Sequence, residues 1–417
     1  MRKGKKGAPD TVRAQYEAYP YPARDPRDEK KRLIVGSPSW LDELVHYLFG
    51  GRWEQDRPFR ALVAGGGTGD GLIMLAQHCA DRGLDARIDY VDLSTQSRRV
   101  AEARAEARGL AGMIRFHTGS LLDLAELAPG PYDYIDCCGV LHHLPDPAAG
   151  LAALRDRLAP EGGMGLMVYG THGRTGVYPL QSALRRLGGG LSDADRVALA
   201  KRLVASLPET NWFRRNAFLG DHRASDAGLY DLLLHSQDRA YTVPEIAEWV
   251  AGAGLEIVSF IDPARYDPSH YLGDPRLRGR LEGLGPLDRA ALAEELSGAF
   301  KTHIFYVRHA GTEARIASPD DPEMRPVLRG LDGPTMAKSL KPGQPITLRY
   351  DGLTARPSLP ATAPAMLALI DGARSLGEIR LLLAERRGED LSWAAFQKDF
   401  AALYNVLNGF GKMFLRR

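Results

Sequence analysis

The sequence predicts an α/β protein: a doubly wound, mainly parallel sheet with a helical insertion, followed by a small α+β domain. Three observations predict it. Apolar strand-like runs alternate with helical stretches from residue 59 to 170, and the pattern resumes at 241. A glycine cluster, "AGGGTGDG", follows the first strand directly. A stretch rich in Pro, Asp and Gly, 311–342, separates this region from a last segment with its own turn and helix signals.

Taken in order, residues 1–36 form a tail and the aromatic stretch "QYEAYPYPARDP". "SPSWLDELVHYLFG" predicts a helix, with Ser39 as its cap and Leu41, Leu44, Val45 and Leu48 on one face. "FRALVAG", "ARIDYVDLS", "MIRFHTGS", "YDYIDCC" and "GGMGLMVYG" read as strands. The stretches between them, including "STQSRRVAEARAEARGL", read as helices. Residues 171–240 break the alternation and are expected to be an insertion at a strand's carboxyl end, where open α/β sheets bind ligands. Thr242 and Glu245 then make a capping box. "LEIVSF" and "THIFYVRHA" complete the strands, so that 37–310 is expected to be one domain and 311–342 a linker. In 343–417, "RYDGLT" signals a hairpin at Asp351-Gly352. Three short helices and a closing strand, "GKMFLRR", follow it.

Composition narrows the function. The 417 residues are 44% hydrophobic and 25% charged, with a net charge of +2, so no global field draws the chain to nucleic acid or membrane. No nucleic-acid partner is expected, and the basic start "MRKGKK" reads as a solvated end. No apolar run approaches the roughly 20 residues of a membrane span, and no secretory signal is evident. Three cysteines, Cys79, Cys137 and Cys138, are too few for a disulfide framework. A cytoplasmic protein is expected.

The glycine loop reads Gly65-Gly66-Gly67-Thr68-Gly69-Asp70. A dinucleotide fingerprint needs glycine where Asp70 stands, and a phosphate loop needs a following Lys-Ser or Lys-Thr. No Lys or Arg adjoins the loop in sequence to meet a pyrophosphate. Glycine still lets the backbone approach a ligand closely. Asp92 ends the next strand, at a distance suited to a ribose hydroxyl pair.

With "LVAGGGTGDG", "YVDLS", "YDYIDCCGVLHHLPDP" and "LAPEGGMGLMVYG" in that order, the chain resembles the class I S-adenosylmethionine-dependent methyltransferases over roughly residues 40–308. The resemblance implies S-adenosylmethionine as cofactor. It implies that Ala64, Gly65, Gly66, Gly67, Thr68 and Gly69 lie under the methionine part, and that Asp92, Leu93 and Ser94 hold the ribose. Gly119, Ser120 and Leu121 would pack on adenine, and Cys138, Gly139, Val140 and His142 would line the methyl-transfer site. Two departures stand out: Val63-Ala64 occupies the place of an acid before the loop, and Ser120 the place of an acid at adenine.

His142 and His143 are the first candidates for a base, and His142 is taken as the catalytic one, with Tyr21 and His222. Tyr16 and Tyr21 are expected on a lid over the cofactor, since aromatic faces attract cations. The insertion, with the "YGTHGRTGVYPLQ" stretch leading into it, is expected to form the acceptor pocket through Tyr169, Arg174, Tyr178, Trp212, Arg215 and His235. The spacings of His222, His235, Asp221, Asp231 and Asp238 match no ligand motif, and no metal is expected. Residues 343–417 resemble a winged-helix unit with too few basic residues to read DNA, suited to packing, dimerisation or peptide presentation. The expected activity is methyl transfer to a small-molecule or peptide/protein acceptor. The rival is a non-catalytic S-adenosylmethionine-binding regulator that engages a partner through its C-terminal domain.

Overall fold

The computed structural model describes residues 8–53, 57–313, 316–350 and 352–417, with the side chains of residues 8–11 left aside. The basic start, 1–7, and Asp351 of the expected hairpin turn lie outside the described residues. The chain divides into two compact units. One takes Met1–Trp40, Gln55–Glu256 and Gly298–Ala310; the other takes Leu41–Glu54, Ile257–Ser297 and Gly311–Arg417.

The first unit is built on strands β1 (Phe59–Ala64), β2 (Ala86–Asp92), β3 (Ile114–Thr118), β4 (Tyr132–Cys138), β5 (Leu158–Gly170), β6 (Ala240–Tyr241), the opening residues of β7 (Leu255–Ile261) and β8 (Thr302–His309). The order β3-β2-β1-β4-β5 is parallel, β6 is a short parallel addition to β5, and β8 runs antiparallel beside β5. The central strand β1 is a nearly continuous buried run because both of its faces are covered. In β1, Ala61, Leu62, Val63 and Ala64 are all buried. The reversal of strand order beside β1 places a crevice at the carboxyl ends of β1 and β4, where the glycine loop begins.

Helix Thr95–Ala107 starts at Ser94, whose hydroxyl accepts from the Ser97 amide. Helix Val243–Gly252 has the full capping box of Thr242 and Glu245. Between β5 and β6 the insertion consists of helices joined by turns and coil: Val177–Leu187, Asp193–Ser206 and several short helical turns enclose a core of their own around Phe213, Leu229 and Leu233. The last turn, Tyr230–Leu234, is π-helical.

In the second unit, helix Leu41–Leu48 is buried along its whole length. Ser39 does not cap it: the Ser39 hydroxyl donates to Asp136 in the first unit's β4. Residues 311–342, expected to be a linker, contribute β9 (Arg325–Leu328) and helix Gly333–Ser339. The hairpin is formed by β10 (Leu348–Tyr350) and β11 (Leu353–Ala355). The closing strand β12 (Met413–Arg416) pairs antiparallel with β9 rather than with the hairpin. Helices Ala363–Leu367, Leu376–Arg387 and Trp393–Gly409 surround a core of Leu367, Ile379, Phe400 and Leu403. Sequence reading underestimated 311–342 because Pro and Gly punctuate it, while β9 is only four residues long.

His46 ties this unit together. Its Nδ1 accepts from the Leu415 amide at 3.0 Å and its Nε2 meets the Tyr404 hydroxyl at 2.8 Å. Burial pushes the imidazole down to about 4, opposed weakly by the Leu415 backbone. The ring is therefore neutral when folded and titrates near 6.5 when unfolded, so its contribution is complete above pH 6.5 and is lost as pH falls toward 4. That window corresponds to about 3 kcal/mol. Urea unfolding at pH 7 and pH 4 should show this much less acid sensitivity in His46→Gln than in the native chain; equal acid sensitivity would remove His46 from the account.

Candidate active site

The glycine loop turns sharply out of β1. Gly65, Gly67 and Gly69 have φ of 70°, 52° and 98°, in the left-handed region that favours glycine. Space is as restrictive as conformation. A Cβ on Gly65 would lie 2.3 Å from the Val140 side chain, and one on Gly66 would lie 2.4 Å from the Tyr90 ring. The loop after β4 and the ring from β2 thus pack directly on the loop backbone.

The N-terminal segment roofs this loop. Thr68 donates its hydroxyl to the Pro22 carbonyl at 2.7 Å, and a Cβ on Gly67 would lie 2.9 Å from the Tyr21 carbonyl. Arg24 holds Asp70 through both carboxylate oxygens at 2.9 and 2.6 Å. The fully buried Arg104 reaches Glu29 at 2.7 Å, Asp70 at 2.7 Å and the Thr68 carbonyl at 2.7 Å. Burial pushes the Asp70 carboxyl up, but Arg24 and Arg104 outweigh it and hold the group below the usual carboxylate range. Asp70, which breaks the dinucleotide pattern, is therefore an anchor for the roof. The expectation that no cation neighbours the loop is corrected: Arg24 and Arg104 are brought there from distant sequence, and both are engaged by carboxylates.

Under the roof lies a cavity of about 630 Å³, within the range of ligand pockets. Asp92 lines it beside Gly65, Gly66 and Gly67. One Asp92 oxygen accepts from the Gly67 amide and the other from the Ser94 amide, each at 2.8 Å. Each oxygen keeps a second lone pair for a hydroxyl. Burial raises the Asp92 carboxyl, and the two amides work against that rise. Gly119, Ser120 and Leu121 line the β3 end. The Ser120 hydroxyl caps its own turn by accepting from the Leu122 amide at 3.1 Å.

The far wall is polar and aromatic. Tyr16 and Tyr169 give their hydroxyls to opposite oxygens of Asp231, at 3.1 and 2.8 Å. Burial first, and Asp231 second, raise both phenols well above their ordinary value, so both remain donors. His143 lines the same wall and its Nδ1 meets the Gln237 carbonyl at 3.0 Å. That bond places the proton on Nδ1 and leaves the Nε2 lone pair free. Burial lowers the His143 imidazole despite Asp231 nearby, so the ring is neutral. Arg174 lies 3.7 Å over the Tyr169 ring and pairs with buried Asp238 at 2.8 Å.

Donor atoms of His143, Asp231 and His235 lie within 4.8 Å of one another. The His235 Nδ1 accepts from the Gln237 amide at 3.0 Å, so Nε2 carries the proton and faces the Tyr16 hydroxyl at 3.3 Å. Tyr16 thus bridges Asp231 and His235, and the protonated His235 Nε2 offers a donor where a metal would need a lone pair.

Several residues chosen from sequence fall elsewhere. His142 is buried behind the wall against Tyr169, ring centroids 3.8 Å apart, and neither ring nitrogen has a hydrogen-bond partner among the described residues. The wall residue is His143. His222 is partly buried against Phe213, outside the cavity lining. Trp212, 65% exposed, and Arg215 lie on the surface, because helix Trp212–Arg215 turns Phe213 inward instead. Tyr178 and His235 stand one layer behind the wall, bonded to Arg174 and Tyr16. Tyr16, Tyr21, Tyr169, Arg174, Leu93, Cys138, Gly139 and Val140 do line the cavity. Ala64, Thr68, Gly69 and Ser94 support it from behind, with Ser94 donating to the Tyr16 carbonyl at 3.1 Å. Asp231, weighed from sequence only with His222, His235, Asp221 and Asp238 as a metal ligand, lines the wall, as do Asp136, Lys301 and Thr302, which sequence reading missed. A carboxylate within the "LYDLLLH" run was the available signal for Asp231.

The fit to a phosphate-free adenosine cofactor rests on this chemistry: tight glycines, a ribose-competent carboxylate, and nearby arginines already engaged by acids. Residues 62–164 match the family model described as "Methyltransferase domain". The chain is 34% identical over 297 residues to the uncharacterized protein syc1184_c of a Synechococcus strain, covering 68% of each chain. A ubiquinone biosynthesis O-methyltransferase of Psychrobacter cryohalolentis is 34% identical over 96 residues, 23% of this chain and 36% of that one. Among solved structures, PKMT2 from Rickettsia typhi in complex with AdoHcy superposes with a TM-score of 0.63 at 16% identity, covering 91% of this chain and 75% of that one. These define a methyltransferase fold. The chain belongs to the same family as that Synechococcus protein, its residues 62–164 form a methyltransferase domain, and the site fits S-adenosylmethionine as cofactor. No helix among the described residues is long and apolar enough to cross a membrane.

Two titrations check the site. Asp92→Ala should weaken S-adenosylhomocysteine binding by at least about tenfold, since the ribose hydroxyls lose a charged acceptor. Arg24→Ala should weaken it less and speed dissociation, because the roof loses one of two cationic anchors. Unchanged affinity in Asp92→Ala would remove the ribose assignment.

Proposed function

We propose that this chain methylates an acceptor seated against the wall of Tyr16, Tyr169, Asp231 and His143, and that His143 is the base. The observation carrying this reading is that one cavity joins the glycine loop and Asp92 to that wall. Bound S-adenosylmethionine supplies an activated methyl group. The chain's own work is to align the acceptor, exclude water and receive a proton. The Nε2 lone pair of His143 takes the proton of an acceptor hydroxyl or ammonium, while Nδ1–H on the Gln237 carbonyl fixes the ring. Asp231 faces the imidazolium that forms. Tyr16 and Tyr169 fix the carboxylate that does so. Tyr21 lines the cavity and shapes it near the loop.

The acceptor is a small molecule or a single side chain of a peptide or protein. Removing the C-terminal residues would not separate these possibilities cleanly, because β12 and helix Trp393–Gly409 share a unit with helix Leu41–Leu48 through His46. A cleaner test screens small-molecule acceptors and peptides on the whole chain for S-adenosylhomocysteine release. With a turned-over acceptor, His143→Gln should lower kcat by roughly 10²–10⁴-fold and leave cofactor affinity near native. The native rate should hold from neutral pH down to 6.5, then fall as His143 gains a proton at its lowered pKa. Retained kcat in His143→Gln would remove the base.

A further inference from the structure

We infer that Asp136 is the cofactor's ammonium site, a carboxylate that receives the α-amino group of the methionine part. This deepens the proposed function and rests on its reading of the cavity as the S-adenosylmethionine site. Strand order carries the argument. The cavity runs from Ser120 after β3, past Asp92 at the end of β2, to Gly65 after β1 and Asp136 on β4. A cofactor with its ribose on Asp92 and its adenine toward β3 directs its amino-acid end toward β1 and β4. Asp136 stands there, and its backbone is the register partner of Val63 on β1. The acid absent at Val63-Ala64 is thus offered by the neighbouring strand.

The side chain's surroundings suit an ammonium. Asp136 is 3% exposed and lines the cavity. It accepts from the Ser39 hydroxyl and from the Cys138 amide. No Lys or Arg pairs with it among the described residues, whereas Asp70, Glu29, Asp133 and Asp238 each have an arginine. A buried carboxylate without a cation is costly, and an incoming ammonium offsets that cost. Burial pushes this carboxyl up to about 6, the mark of a missing positive partner. Helix Asp70–Asp81 also leaves room for it: a Cβ on Gly71 would lie 3.1 Å from the Asp136 Oδ2. Ser39 comes from the roof segment and holds the carboxylate in place.

The test is a cycle of two ligands and two proteins, read by calorimetry at pH 7.5. The ligands are S-adenosylhomocysteine and its deamino analogue, in which hydrogen replaces the α-amino group. The proteins are the native chain and Asp136→Asn. The native chain should bind the deamino analogue about tenfold or more weakly, and Asp136→Asn should bind the two ligands within about twofold of each other. A preference for the amino ligand that survives in Asp136→Asn overturns the assignment, as does no preference in the native chain. Failure of the native chain to bind either ligand would instead overturn the cofactor reading itself. If Asp136→Asn does not fold, Ser39→Ala serves in the same cycle: a reduced preference supports the site and an unchanged one overturns it.

Discussion

One buried guanidinium organises the cofactor side of this protein. Arg104 sits on helix Thr95–Ala107 with no exposure, yet it joins the acid of the roof, Glu29, the acid of the loop helix, Asp70, and the carbonyl of Thr68. A cation in that position is stable only while its acids are present, so loop, helix and roof form together or not at all. The glycines make the arrangement geometrically feasible. The ions keep it in place. Everything that faces the cavity from residues 12–39 depends on that union.

The same logic explains which parts of the fold were legible. Strands β1 to β5 and β8 and the capped helices carry local signals: apolar runs, glycine breaks and capping residues. The order β3-β2-β1-β4 follows from connection rules once those strands are recognised. The second unit was harder, because it is assembled from three separate stretches of chain. Nothing local in "LDELVHYL" says that His46 meets Leu415 and Tyr404. Such a partner, more than 350 residues away, leaves no trace in periodicity.

The site divides along the same line. Motif-bound positions, the glycines, Asp92 and the Gly119-Ser120 pair, could be read because backbone geometry restricts them. Within "LHHL", adjacent histidines differ only in which faces the cavity, and one turn of chain decides that. Trp212 and Arg215 looked suited to a ligand by composition, but Phe213 is the residue buried there. Asp231 and Asp136 have ordinary neighbours in sequence; only burial without a cation marks them as unusual. Electrostatic isolation is a property of the folded chain.

The π-helical turn at Tyr230–Leu234 has a consequence for how this family can change over time. A π turn is in effect an α-helix with one residue added, and each residue of an α-helix advances about 100°. Losing any one residue from this turn would restore regular winding and swing Asp231 away from Tyr16 and Tyr169. Lineages that keep this wall are therefore bound to keep the length of the segment, even where its apolar side chains are free to exchange. Changes of length are better tolerated in a connection farther out, such as the exposed pair Gly189 and Gly190.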